Sequence, residues 1–411
     1  MPPSSSPERR IGPALGYGLY AALVLSVFGI ALSNAFLLLS LVFLPWTVRD
    51  GWARLRPAKL LLAGVGVYLL MLGVAIAFSY SPAISWEAHS ELFNLAPIPL
   101  AILLVRGERD VRRIFDGLIL VGGIVSLYAL SQLPAGFGDW EGLVDVNQRI
   151  RGPFSHYMTL AGFLLLCDLL LIAVMLWGEG WKRPWRWGAL VLLNLTLLVN
   201  QSRNAWVALV VVGTGMLLAR NRKLLLAYAP LAVLLLILAP APLVDRIVSV
   251  ADLEDPSNYD RLCMWDAGLH MIAQRPITGI GPEMVEERYS IYRPPTAPRY
   301  QRPHLHNLFL QIAAERGLPA LASYLALMGL AFLGAWRGYR SASEASGPRR
   351  LQIDLHIGVL AALVAFNLSG LFENNWGDTE VQRVLLFLMA VPFCLMAGEP
   401  ELLAGEPEAR C

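Results

Sequence analysis

The sequence is short of charge: only 16% of its 411 residues are Asp, Glu, Lys or Arg, whereas a soluble domain carries roughly a quarter. It is also short of cysteine. Cys167, Cys263, Cys394 and Cys411 form no metal-type spacing and no cluster that could pair, which argues against a disulfide framework and against a structural zinc site. There is no P-loop, no nucleic-acid module and no internal repeat. The string Gly279-Ile280-Gly281-Pro282 follows a helical pattern rather than a strand, so it reads as a turn and not as a dinucleotide site. The net charge of +2 says little, because in a chain of this kind the placement of charge carries the information.

What is abundant is apolar surface. Hydrophobic residues make up 56% of the chain, and they fall in runs of about 15 to 25, long enough to cross a hydrocarbon core of about 30 Å. Twelve apolar segments are expected, near 14–32, 34–48, 59–79, 91–105, 111–131, 157–177, 187–200, 204–219, 223–239, 307–336, 354–372 and 381–398. The fold class is therefore an all-α polytopic membrane protein with about 12 transmembrane helices. Residues 1–13, with Ser4 to Ser6 and four prolines, read as a disordered tail, 14–398 as the transmembrane domain and 399–411 as a second tail. No small-residue cleavage site follows the first apolar run, so that run is expected to be a retained span.

Basic residues mark alternate connections: Arg9 and Arg10; Arg49, Arg54, Arg56 and Lys59; Arg106, Arg109, Arg112 and Arg113; Lys182, Arg183 and Arg186; Arg220, Arg222 and Lys223; Arg337, Arg340, Arg349 and Arg350. The short opposite loops near Ser81–Ser90 and Asn374–Glu380 have none. The positive-inside rule then puts both termini in the cytoplasm. With Arg410, 21 of the 33 basic residues lie inside, and the other twelve lie outside or at the outer membrane face. The stretch 187–219 is bounded by inner charge at both ends, so it crosses an even number of times. Its 33 residues reach only about 50 Å, short for two crossings. The Gln201-Ser202-Arg203 turn should sit below the outer surface, where an arginine is costly unless it meets an anion or a wet cavity; snorkelling to the interface is the plainer alternative.

Two outer segments are long enough to build a site, Gln132–His156 and the large loop Pro240–His306. The large loop contains a helical pattern with Leu262, Trp265, Leu269 and Ile272 on one face, ended by Arg275-Pro276. These segments and the sunken turn collect Arg149, Arg151, Arg203, Arg261 and Arg288, with His304, His306 and Asn307 opening the next apolar helix. Arginine suits phosphate because its planar fork offers parallel donors and keeps its charge. An imidazole beside such a cluster can serve as a base for a hydroxyl. The carboxylates Asp252, Glu254, Asp255 and Asp260 could hold a divalent cation, but capping and solvated roles are the simpler reading. Asp168 lies mid-span and is a functional candidate by position, or is neutral or paired with a neighbouring helix. Trp140, Trp181, Trp185 and Trp187 suit an interfacial aromatic belt.

The strings RGPFSHYMTLAGF, NQSRNAW, YDRLCMWDAGLHMIAQRPITGIGPE, PHLHNLFLQIAAERG and GLFENNWGDTE, in that order from Arg149 to Val381, resemble the O-antigen ligase and polymerase superfamily. The His-Asn string that opens a span after the large loop is the most specific part. The resemblance implies a GT-C-like integral membrane glycosyltransferase of the bacterial inner membrane with its site on the periplasmic face. It implies transfer of a glycan from undecaprenyl pyrophosphate to a lipid A-core sugar, with inversion and without a metal or cofactor. The family's essential arginines map onto Arg203 and Arg261 and its essential histidine onto His306, with His304 as the other possibility and Arg149, Arg151 or Arg288 assisting. The GLFENNWGDTE string is more like the ligases than the polymerases. The alternatives are an O-antigen polymerase or a protein O-oligosaccharyltransferase on the same donor, and, in a different class, a transporter or flippase, which would need no base beside the arginines.

Overall fold

The computed structural model describes residues 8–48, 51–133, 149–224, 226, 241–250, 252, 254–345 and 347–403, and these are helical with no strand. The longer helices are α1 (Glu8–Leu25), α2 (Ile30–Val42), α3 (Lys59–Ala77), α4 (Pro97–Leu104), α5 (Gly107–Leu130), α6 (Tyr157–Trp177) and α7 (Pro184–Asn200). They continue with α8 (Arg203–Asn221), α9 (Ala241–Val248), α10 (Pro256–Gln274), α11 (Met284–Tyr292), α12 (Leu308–Glu344), α13 (Ile353–Ser369) and α14 (Thr379–Leu403).

Among the described residues, seven helices are long and apolar enough to cross a membrane, rather than the twelve expected. The shortfall has physical causes. The expected span 91–105 is split: a short helix ends at Asn94, and α4, opened by Pro97, is only eight residues long, about 12 Å of helix. α1 and α2 are apolar but short. α7, with 17 residues, reaches about 26 Å. Most of the expected span 223–239 and the loop around Trp140 lie outside the described residues.

At the centre stands α6. Its sequence is apolar all round, with no polar stripe to turn outward, and such a helix is stable only when covered on every side. It packs against α5, α7, α8 and α13, and every residue from Tyr157 to Leu171 is buried. α3, equally apolar, instead exposes Leu60, Val67 and Leu70, as a helix facing hydrocarbon does. Asp168 on α6 accepts a hydrogen bond from Asn194 Nδ2 of α7 at 3.2 Å, so it is tied to a neighbouring helix.

Charge separates the two ends of the bundle. At one end Arg112 bonds Glu108 at 2.7 Å and Asp354 at 2.8 Å, Asp116 pairs with Arg183 and Arg186, and Arg54 caps the carbonyls of Ile102 and Val105. At the other end the starts of α6, α8, α12 and α14 meet the ends of α3 and α13. Thr159 Oγ1 donates to Asp378 at 3.0 Å, Asn204 Nδ2 to Ser369 Oγ at 2.9 Å, and the Leu308 N–H to the Gly370 carbonyl at 2.8 Å. The α7–α8 turn is buried there: Gln201 takes φ 58°, and Asn200 Nδ2 donates to the carbonyls of Ile150 and Tyr157 at 3.0 and 2.9 Å.

α12 is broken at Gly317, whose φ of 84° and ψ of 167° are essentially open to glycine alone. The turn 276–282 enters the break. Ile280 and Gly281 donate to the carbonyls of Ala314 and Glu315, both at 2.9 Å, and Leu318 donates to Pro276 at 2.8 Å. A side chain on Gly317 would stand 2.1 Å from the Ile277 carbonyl oxygen, and one on Gly279 would stand 2.3 Å from Glu315. The glycine string is thus the turn expected from the sequence, and its partner is a membrane helix.

Candidate functional site

Arg203 opens α8, directly after the buried turn, and is itself buried. It does not snorkel. Its Nη1 donates to the Ser249 carbonyl and hydroxyl, both at 2.8 Å. Its Nη2 donates to Asn258 Oδ1 at 2.9 Å and to Ser257 Oγ, and it pairs with Asp255 at 3.3 Å. Asp255 is also the N-cap of α10, accepting from the backbone of Ser257 and Asn258. Burial alone would push its carboxyl up, but Ser257 and Arg203 hold it below the usual range. Arg203 therefore fastens the loop between α9 and α10 to the membrane bundle.

Around that brace stand three further arginines. Arg149, just before α6, lies over the Tyr157 ring at 4.8 Å from the centroid. Arg246 comes from α9 and Arg261 from α10, and neither is ion-paired within the described residues; the Nε of each is buried without a partner. Burial makes each of the three easier to deprotonate than a free guanidinium, and the neighbouring arginines add to this for each; Arg246 falls to about 10. Asp255 and Glu373 are the two carboxylates whose charge reaches the cluster. Four guanidiniums against two carboxylates leave excess positive charge in a partly desolvated site, an arrangement that a bound anion would relieve.

The histidines meet the cluster from the other side. Asn307 caps α12, accepting from Phe309 and Leu310 N–H at 3.0 Å, while its Nδ2 donates to the Leu371 carbonyl at 3.0 Å. That cap brings the 370–378 loop against His306, whose φ of 47° turns its ring back toward it. His306 Nδ1 lies 3.0 Å from Glu373 Oε2, and His304 Nδ1 lies 3.8 Å from Oε1. Burial would raise the Glu373 carboxyl, but His306, His304 and the Asn374 N–H hold it well below the usual range. An ionised carboxylate only accepts, so His306 donates through Nδ1 and keeps the Nε2 lone pair for chemistry. At His304 burial lowers the imidazole to about 4. His156 caps α6, its Nδ1 accepting from the Met158 N–H at 3.3 Å.

The expected residues divide accordingly. Arg149, Arg203, Arg261, His304 and His306 come together, each close enough to feel another's charge. Asn307 supports them as a cap. Arg151 is exposed, and its backbone N–H donates to Gln132. Arg288 lies elsewhere, over the Tyr80 ring. The acidic stretch is spent on structure: Asp252 accepts from the Glu254 N–H, and Asp260 pairs with Arg302 and Arg299. The trio that could hold a metal is instead His304, His306 and Glu373, whose ligand atoms lie within 4.8 Å of one another. Sequence reasoning missed Arg246 and Glu373. Glu373 sat inside a quoted string, and Arg246 was one more basic residue of the large loop.

On α10 Trp265 and Ile272 of the expected face pack against the buried cluster, but its two leucines do not. Cys263, Met264, Ala267, Gly268 and Met271 are covered, while Leu262 and Leu269 are exposed. The small residues decide this, since a side chain on Gly268 would stand 2.7 Å from Leu305.

Together these features define a polytopic helical membrane protein with a basic, histidine-bearing site where the helix ends converge. Residues 188–325, about a third of the chain, match the family model described as O-antigen ligase. The matched stretch includes Arg203, Arg246, Arg261, His304 and His306; Arg149 and Glu373 fall outside it. Among curated proteins no match to the chain is found.

Proposed function

We propose that this protein is an O-antigen ligase, an inverting glycosyltransferase that needs no metal and moves a glycan from undecaprenyl pyrophosphate to a lipid A-core sugar. The observation that carries the proposal is the His306–Glu373 pair set beside arginines whose charge is only half compensated. A glycosyl pyrophosphate diester brings two negative charges, which balance the excess. In this reading Arg149, Arg246 and Arg261 face the pyrophosphate oxygens, while Arg203 holds the loop that carries two of them and adds its charge.

His306 Nε2 takes the proton of the acceptor hydroxyl, and the oxygen attacks the anomeric carbon. The bond from that carbon to the pyrophosphate oxygen breaks, and the pyrophosphate leaves with the electron pair. The guanidiniums stabilise the charge that develops there, so no strong acid is needed. Attack opposite the leaving group inverts the anomeric centre. Glu373 fixes the imidazole's tautomer and balances its positive charge, as the acid of a catalytic triad does. The basic end of the bundle, opposite the site, supports a cytoplasmic assignment for that end and a periplasmic one for the site.

The test is reconstitution of purified protein with undecaprenyl-pyrophosphate glycan and lipid A-core, with and without a chelator and without an energy source. Glycan should appear on the core with inverted configuration in both arms. Transfer lost on chelation and restored by magnesium would overturn the metal-independent mechanism. A complete lack of transfer with both substrates present would overturn the function.

A further inference from the structure

A second group of cations stands apart from the site. The Arg275 guanidinium lies 4.1 Å from the centroid of the Tyr80 ring, and that of Arg288 lies 4.7 Å from the same centroid. Tyr292 adjoins Tyr80, and its hydroxyl donates to Gln274. Arg275 also donates to the Phe78 carbonyl. Among the described residues neither arginine is ion-paired, although Glu283, Glu286 and Glu287 are exposed on or beside the same helix, α11. Two positive charges gathered on one aromatic ring without a counter-ion are costly unless an anion joins them.

The surroundings indicate where that anion comes from. Phe78 ends α3, a candidate span, at the end opposite its basic residues Arg54, Arg56 and Lys59. Ser85 Oγ donates to the Pro282 carbonyl at 2.7 Å, and the Tyr80 N–H donates to Ile280 at 3.0 Å, so the Phe78–Trp86 stretch and the 276–282 turn form one surface. Phe78, Trp86, Ile277 and Ile291 are all more than half exposed around it. Exposed aromatic and aliphatic side chains at the end of a span lie at headgroup level. Arg261 lies in the second turn of α10 and Arg275 directly follows its end, fourteen residues on, about 21 Å along the helix, so the two basic sites are distinct.

We infer that Arg275, Arg288, Tyr80 and Tyr292 form a binding site for the phosphomonoester of a membrane-anchored lipid, with the acyl chains lying along the exposed apolar residues. The two guanidiniums match a dianionic monoester better than the single charge of a phosphodiester.

The experiment uses the full-length protein in neutral detergent. Unfolding midpoints and lipid retention in native mass spectrometry are measured with phosphatidic acid, phosphatidylglycerol, phosphatidylcholine and inorganic phosphate. Phosphatidic acid should bind tightest and raise the midpoint, and inorganic phosphate at the same concentration should not. Arg288→Gln should weaken phosphatidic acid binding by about tenfold or more while leaving the lipid-free midpoint unchanged, because among the described residues Arg288 makes no hydrogen bond that holds the fold. Arg288→Lys should recover part of the loss, and Arg340→Gln at the opposite end should have no effect. Equal retention of phosphatidic acid and phosphatidylcholine would overturn the inference. So would full phosphatidic acid binding by Arg288→Gln, or a response to inorganic phosphate equal to that of the lipid.

Discussion

Replacing Glu373 by glutamine preserves shape and removes charge, and so isolates what the carboxylate does. Glu373 accepts from His306 Nδ1 at 3.0 Å and from the Asn374 N–H at 2.9 Å. A glutamine whose oxygen accepts from the Asn374 N–H presents its amide nitrogen to His306 Nδ1, and the imidazole then satisfies it as the Nε2–H tautomer, which has no lone pair at Nε2 for the acceptor proton. The larger effect falls on the transition state, where His306 carries a full positive charge among arginines and has lost its counter-ion. Loss of an orienting acid of this kind costs up to about four decades in rate, and each decade is about 1.4 kcal/mol. We expect kcat for glycan transfer to fall by roughly 10²- to 10⁴-fold. Donor binding should be unchanged or tighter, because the cluster gains net positive charge. Transfer by the purified variant is read alongside equilibrium binding of the lipid-linked donor. A kcat within threefold of the parent, with His306 still present, would refute the Glu373–His306 pairing as part of the machinery.

Replacing His306 by alanine should remove transfer while leaving donor binding and membrane insertion intact; appreciable turnover would show that another base operates. Arg246→Gln should raise the donor KM by roughly tenfold to a hundredfold, the value of one charge-assisted contact, and a donor titration with unchanged KM would remove Arg246 from the site. Gly317→Ala should lower the unfolding midpoint by several degrees, because alanine resists that backbone conformation and meets the Ile277 carbonyl; an unchanged melting curve would contradict the interlocked break. His304 has its folded-state value lowered to about 4, so its neutral form is favoured by the fold. Its contribution to stability is present above the ordinary imidazole range and is lost as pH falls toward 4. Asp378, raised to about 7 by burial, works in the opposite direction over much of that interval. The difference between parent and His304→Gln is therefore the informative quantity, and the parent should lose stability more steeply between pH 6.5 and 4.

Much of the site was legible because its residues open helices. Arg203 follows a turn too short to reach the surface, and His306 precedes the Asn307 cap, so pattern alone placed them at one membrane face. Glu373 was not legible as a partner. It lies 67 residues from His306 in sequence, and the pairing is set by two contacts, Leu308 to Gly370 and Asn307 to Leu371, that exist only after α12 and α13 have packed. Arg288 shows the opposite failure: nearness in sequence to the site suggested a shared role, but α11 carries it to Tyr80. Among the described residues seven helices have the length and apolarity of a span, and hydropathy alone did not register that the run 91–105 is split ahead of Pro97 or that Ile30–Val42 has only 13 residues. On α10 the expected face packs through Trp265 and Ile272 but not through Leu262 and Leu269, because the close approach of Leu305 at Gly268 turns the helix.

The interlocking of the 276–282 turn with the break in α12 limits how the protein can move. Backbone bonds run both ways across it, and two glycines leave no slack, so loop and helix act as a riveted joint rather than a hinge. In the proposed reaction, any widening that admits a bulky polysaccharide then falls on the far side of that rivet, where α9 and the start of α10 are fastened by the Arg203 guanidinium and the Asp260–Arg302 pair.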